Sequence, residues 1–132
     1  MRILYDSKKP QYKTPFGTLV PDQVCTLNIH IPLSVNTCNV SCVLLYDDGK
    51  TTAQEILFSK KEIVAPYEIW TAEFSIPKTG LYFYYFRVAN PQGSFRLFKQ
   101  GDDTNMEAGA LWQLSCIPAD FHTPDWAKGA TI

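Results

Sequence analysis

The side chains in this 132-residue sequence best equipped for metal binding or acid–base work are four cysteines, two histidines and a short acidic stretch. Cys38 and Cys42 are four residues apart on what reads as one strand, a span of about 13 Å. Two thiolates on one tetrahedral zinc sit within about 4 Å of each other, so the pair does not form a zinc site. Cys25, Cys38, Cys42 and Cys116 therefore read as reduced thiols. His30 falls on the outward phase of a strand and His122 in the C-terminal tail, and both read as solvated. Asp47-Asp48-Gly49 suits a hairpin turn better than a carboxylate pair at work. Asp103, Asn105 and Glu107 alternate oxygen ligands as a calcium loop would, but without the length and glycine placement of an EF-hand. A polar surface loop is the default there. No G-x-S-x-G elbow, phosphate-binding glycine loop or dinucleotide fingerprint occurs. The expectation is a chain with no catalytic residue, no metal and no cofactor of its own.

The remaining chemistry is aromatic. The chain carries 3 Trp, 7 Tyr and 8 Phe, or 14% of its residues. Trp70 and Trp112 fall on the inward phase of their strands. The segment Leu81-Tyr82-Phe83-Tyr84-Tyr85-Phe86-Arg87-Val88 is more informative, because alternation divides it between two faces. If Tyr82, Tyr84 and Phe86 face a core, Phe83, Tyr85 and Arg87 face out. An outward aromatic row on a sheet marks a contact surface. A sugar, another domain of the same chain and another subunit all fit such a face.

The elements that hold these residues read as short strands separated by turn signals. In residues 24–31, Cys25, Leu27, Ile29 and Ile31 point one way, and Thr26, Asn28 and His30 the other. Residues 38–46 repeat the pattern with Cys38, Val40, Cys42, Leu44 and Tyr46 inward. Thr51 to Phe58 is a less regular run. Residues 67–76 set Trp70, Ala72, Phe74 and Ile76 on one face. Pro77 to Gly80 and Asn90 to Gly93 are turns around the aromatic strand. Ser94 to Lys99 returns antiparallel to it, Gln100 to Ala110 reads as a loop, and Leu111 to Ile117 points Trp112, Leu114 and Cys116 inward. About seven or eight short strands with this spacing indicate an all-β, immunoglobulin-like antiparallel β-sandwich. Residues 1–118 form that domain, and 119–132, without alternation, read as a linker.

Composition narrows the partners. Apolar residues make up 45% and charged residues 19%, with a net charge of −1. That excludes a disordered chain and argues against a nucleic-acid binder, which carries a strong positive field. No run approaches the roughly 18 apolar residues of a membrane helix. The N-terminus lacks a signal-peptide pattern, so with Met1 as the start the expectation is a cytoplasmic protein.

Several segments taken in order resemble a known family. They are Tyr5-Asp6-Ser7, Pro15-Phe16-Gly17, Leu44-Leu45-Tyr46-Asp47-Asp48-Gly49, Tyr67-Glu68-Ile69-Trp70, Gly80 to Arg87, Trp112-Gln113-Leu114, and Phe121-His122-Thr123-Pro124-Asp125-Trp126. The chain resembles the N-terminal β-sandwich of bacterial α-glucan hydrolases of the α-amylase superfamily, the neopullulanase and amylopullulanase type. The resemblance implies a non-catalytic accessory domain, with the tail around Trp126 leading into a catalytic barrel that holds the family's carboxylates. The parent would be an enzyme acting on starch, pullulan or maltodextrin, and this chain alone would not. Implied partners are the barrel, α-glucan oligosaccharides and a second subunit of the parent. Phe83, Tyr85, Arg87 and Trp126 are the candidate residues for interdomain or carbohydrate contact. A free-standing carbohydrate-binding module and an immunoglobulin-like protein-interaction domain are the alternatives.

Overall fold

The computed structural model describes residues 3–15, 17–101, 103–106 and 109–118. Among the described residues ten strands, more than the seven or eight expected, form the two antiparallel sheets of an all-β sandwich. The strands are β1 (Lys13–Thr14), β2 (Cys25–Pro32), β3 (Asn39–Leu45), β4 (Thr52–Leu57), β5 (Ser59–Val64), β6 (Tyr67–Phe74), β7 (Gly80–Asn90), β8 (Gly93–Gln100), β9 (Asp103–Asn105) and β10 (Trp112–Cys116). One sheet has the order β1-β2-β6-β5. The other runs β4-β3-β7-β8-β9, with β10 also paired to β7.

Strand β7 organises the second sheet. One side of it pairs with β3 from Ala89 to Phe83. Its other side is shared: β8 pairs with residues 86–90, and β10 with residues 80–84. The chain between them makes the small β8–β9 hairpin and returns beside Lys99 through an Ala110 bridge. Gly109 makes that approach possible, since a Cβ there would lie 2.5 Å from the Lys99 carbonyl oxygen. On the free side of β10 Leu19 bridges to Cys116, tying an early segment of the chain to β10.

The core lies between the sheets. Cys25, Leu27, Ile29 and Ile31 of β2 meet Val40, Cys42 and Leu44 of β3 and Tyr82, Tyr84, Phe86 and Val88 of β7, all buried. Trp70, Ala72, Phe74, Trp112, Leu114 and Cys116 join them, on the faces predicted from the sequence. Tyr5 is the central wedge. Its hydroxyl is 2.6 Å from that of Tyr84, and its ring meets Phe86 and Trp112 edge-on at 4.7 and 5.1 Å. Trp112 in turn stacks on Tyr84 at 5.7 Å. Edge-to-face and offset contacts at these distances add to the stability gained by burial alone.

Three expectations are corrected. Cys38 and Tyr46 are exposed rather than inward. Each lies one residue beyond an end of β3, where alternation continues but the strand does not. Ser59 to Val64 is a strand that periodicity does not reveal, because every residue in it is exposed and only its ladder to β6 defines it. Lys60, Lys61 and Glu62 on this margin suit an edge that resists further pairing. The stretch read as a loop contains β9, anchored where the buried Thr104 hydroxyl donates to the Ile3 carbonyl at 2.6 Å.

All four thiols are free, with Cys25, Cys42 and Cys116 buried. Burial pushes the Cys42 thiol well up, so it stays protonated.

Candidate functional site

Alternation along β7 buries Tyr82, Tyr84 and Phe86 and leaves Phe83, Tyr85 and Arg87 half-buried on the outer face of the sheet. Register extends that face sideways, since residues directly opposite in a ladder share a face. Leu45 lies opposite Phe83, Val43 opposite Tyr85, and Ser41 opposite Arg87. Gln113 flanks Phe83 on the other side, and Arg96 flanks Arg87. Val43 and Leu45 are only 4% and 5% exposed, although both point away from the main core. Leu57, 76% exposed, lies opposite Ser41 on the same face.

The outer face therefore sets buried Val43 and Leu45 beside half-buried Phe83 and Tyr85, with charged Arg87, Arg96 and Glu55 next to them. Tyr85 stacks on Phe98, with centroids 5.7 Å apart and planes 29° from parallel. The Arg96 guanidinium sits over the Tyr85 ring, 5.6 Å from its centroid. Arg87 and Arg96 are direct cross-strand neighbours, an arrangement of like charges that ordinarily destabilises. Each has its own relief. Arg87 pairs with Glu55 at 3.5 Å, and Arg96 lies on the π-face of Tyr85.

Sequence reading placed Phe83, Tyr85 and Arg87 together on an outward row, and the structure brings these three together. It missed Phe98 and Arg96, whose signal was their phase in β8, opposite to the buried Leu97. It also missed Val43 and Leu45, because they sit in a run, Val40 to Leu45, that is buried on both phases. Trp126, His122 and the linker lie outside the described residues, as does Glu107 of the acidic stretch. Asn105 sits in β9, with its side-chain amide donating to Gln100 at 2.8 Å.

Elsewhere, titratable groups serve packing. His30 lies between the Tyr12 and Tyr67 rings, and burial lowers its pKa despite the opposing pull of Glu62. It is half-buried rather than solvated. Glu68, buried in the wall of the sandwich, accepts from Trp70 Nε1 at 3.1 Å and pairs with Lys60 at 3.3 Å. Hydrogen bonds from Thr51 and from the Lys50 and Thr51 amides hold Asp48 down to about 2, as its turn role requires. Among the described residues, no three His, Cys, Asp or Glu side chains gather as a metal site would need. The outer face of β7 offers contact area and charge.

No protein-family model matches the sequence, and no curated protein is similar to it in sequence. The fold does match solved structures. A cyclomaltodextrinase superposes with a TM-score of 0.61 at 15% identity, over 96% of this chain and 21% of that one. An uncharacterized Listeria monocytogenes protein, solved with α- and β-D-glucose, magnesium and calcium, superposes with a TM-score of 0.57 at 12% identity. That match covers 80% of this chain and 10% of the other. The chain thus has a β-sandwich fold that also occurs within much longer proteins, and it spans about a fifth of the cyclomaltodextrinase chain. No helix among the described residues is long and apolar enough to cross a membrane.

Proposed function

We propose that this chain is the non-catalytic N-terminal accessory domain of an α-glucan glycoside hydrolase. It packs against the catalytic barrel through the outer face of β7, with Phe83, Tyr85 and Arg87 at the contact and Trp126 beside them. The observation that carries the reading is a half-buried aromatic row beside buried Val43 and Leu45, on a fold of which 96% superposes on part of a cyclomaltodextrinase. Covering each outward ring would contribute on the order of 2 kcal/mol by area. Arg87, Glu55 and Arg96 at the rim fit an interface whose centre is apolar and whose edge is charged. Starch, pullulan or maltodextrin binding by the domain itself is the second part of the proposal. It is weak, because the large rings not committed to the core number only a few.

Reading the gene past Ile132 tests the first part. A continuing frame that encodes a β/α barrel is expected, and a stop codon at that point contradicts it. Calorimetric titration with maltooligosaccharides, cyclodextrin and pullulan tests the second. Dissociation constants weaker than about 10 μM, near −7 kcal/mol, are expected. Tighter binding would favour a free-standing carbohydrate-binding module.

A further inference from the structure

The margin where β1 of one sheet approaches β10 of the other holds a cleft of about 270 Å³, lined by Ser7, Lys8, Lys13, Gly17, Thr18, Gln113 and Ser115. Lys13 is the unusual member. It is only 2% exposed, and its ammonium donates to the Pro15 and Gly17 carbonyls, both at 2.9 Å. An ammonium has three donors, so one remains after these two bonds. Among the described residues no carboxylate pairs with Lys13, and burial lowers its pKa. A buried cation held only by neutral dipoles is costly unless a counter-charge arrives.

The rest of the lining supplies donors of the same kind. Thr18 and Ser115 bring hydroxyls and Gln113 an amide, while the Ser7 hydroxyl is engaged by Tyr84. The nearby Asp6 carboxylate accepts from the Lys8 backbone N–H at 2.9 Å. Among the described residues the lining includes neither a carboxylate nor an aromatic face, and its donors suit an oxyanion better than a neutral sugar ring that needs stacking. The volume equals about nine waters at ~30 Å³ each, more than a bare oxyanion fills.

We propose that this cleft binds a phosphate dianion, free or as the monoester of a small polyol, with Lys13 as its buried counter-charge. Charge-assisted hydrogen bonds to phosphate oxygens are the strong class for such a donor set. The site lies apart from the outer face of β7 and stands independently of the role proposed for that face. The competing role for Lys13 is to hold the Pro15 and Gly17 carbonyls and nothing more.

The test is a titration of the isotope-labelled chain with sodium phosphate, glycerol phosphate and glycerol at constant ionic strength, followed by amide resonances. Saturable shifts at Gly17, Thr18, Gln113 and Ser115 are expected, with a dissociation constant on the order of 1 mM for the better anion. Saturation by sodium phosphate alone would assign the free ion, and tighter binding of glycerol phosphate the monoester. Lys13→Met should weaken binding at least about tenfold, the usual scale for a lost hydrogen bond to a charged group. Thr18→Val and Ser115→Ala, at the cleft surface, should each weaken it several-fold and carry the test if Lys13→Met does not fold. No saturation by about 10 mM, or equal shifts with glycerol or chloride, would overturn the proposal.

Discussion

The two faces of β7 carry similar side chains in different surroundings. On the inner face Tyr84 has a hydroxyl partner in Tyr5 at 2.6 Å, a stacked Trp112 at 5.7 Å and an edge-on Phe86 at 5.9 Å. On the outer face Tyr85 has one stacked ring, Phe98, and one guanidinium, Arg96. Inner rings are closed on every side, and Phe86 is 0% exposed. Outer Phe83 and Tyr85 lie beside Leu45 and Val43 and remain partly open. Residue type does not separate the two sets. The presence or absence of a facing sheet does, and the outer face is where a second body could take that place.

Substitutions should expose this asymmetry. The largest effect is expected from Trp112→Ala, which removes a ring contacted by Tyr5, Tyr84 and Phe86. A loss of about 3–5 kcal/mol is expected by chemical or thermal denaturation. If Trp112→Ala cost less than an outer-face substitution, the assignment of faces would be reversed.

Alkaline pH should come next. Burial, the first cause in each case, raises the pKa of Tyr5 and Tyr84 above the ordinary 10.0. Below pH 10 both states hold these protons and the tyrosines contribute no pH dependence. Above it the unfolded chain releases them while the folded chain keeps them, so stability falls as pH rises. Lys13 has the opposite slope. Its lowered pKa means that the unfolded chain binds more protons just below 10.5, so stability rises towards that value. Buried Cys25, Cys42 and Cys116, raised above the ordinary 9.0, act in the same direction as the tyrosines and oppose Lys13, so denaturant midpoints should fall from about pH 9 and more steeply above 10. A flat profile above pH 10 would mean that the inner tyrosines are solvated.

Tyr5→Phe should be milder, because it keeps the ring and removes one buried hydrogen-bond partner of Tyr84. About 1–2 kcal/mol is expected in equilibrium unfolding. The smallest effect belongs to the rim. Arg87 and Glu55 are both substantially exposed, so a double-mutant cycle on the pair should give less than about 1 kcal/mol in the chain alone.

The contrast between faces was legible in the sequence because period-two alternation is a local signal. Leu81 to Val88 shows it without any knowledge of neighbours, and so do Cys25 to Ile31 and Trp112 to Cys116. What was not legible depends on what lies across a gap. Cys38 and Tyr46 keep the inward phase but sit past the ends of β3. Ser59 to Val64 has no buried phase, so only backbone pairing to β6 makes it a strand. Lys13 sits on a two-residue strand in a position where a lysine reads as solvated. Its cleft joins residues from both ends of the chain, about a hundred positions apart, which no local pattern reports.

The double substitution Phe83→Ser with Tyr85→Ser tests the central claim, that the outer face of β7 is a docking surface rather than core. Thermal unfolding should be followed for this 132-residue chain and for the longer protein proposed to contain it. In the chain alone the account predicts a small change, within about 1–2 kcal/mol, because the rings are only half-buried. In the longer protein it predicts a clear loss, with the sandwich unfolding before the rest. Unfolding of the 132-residue chain itself, or no change in the longer protein, would contradict the claim.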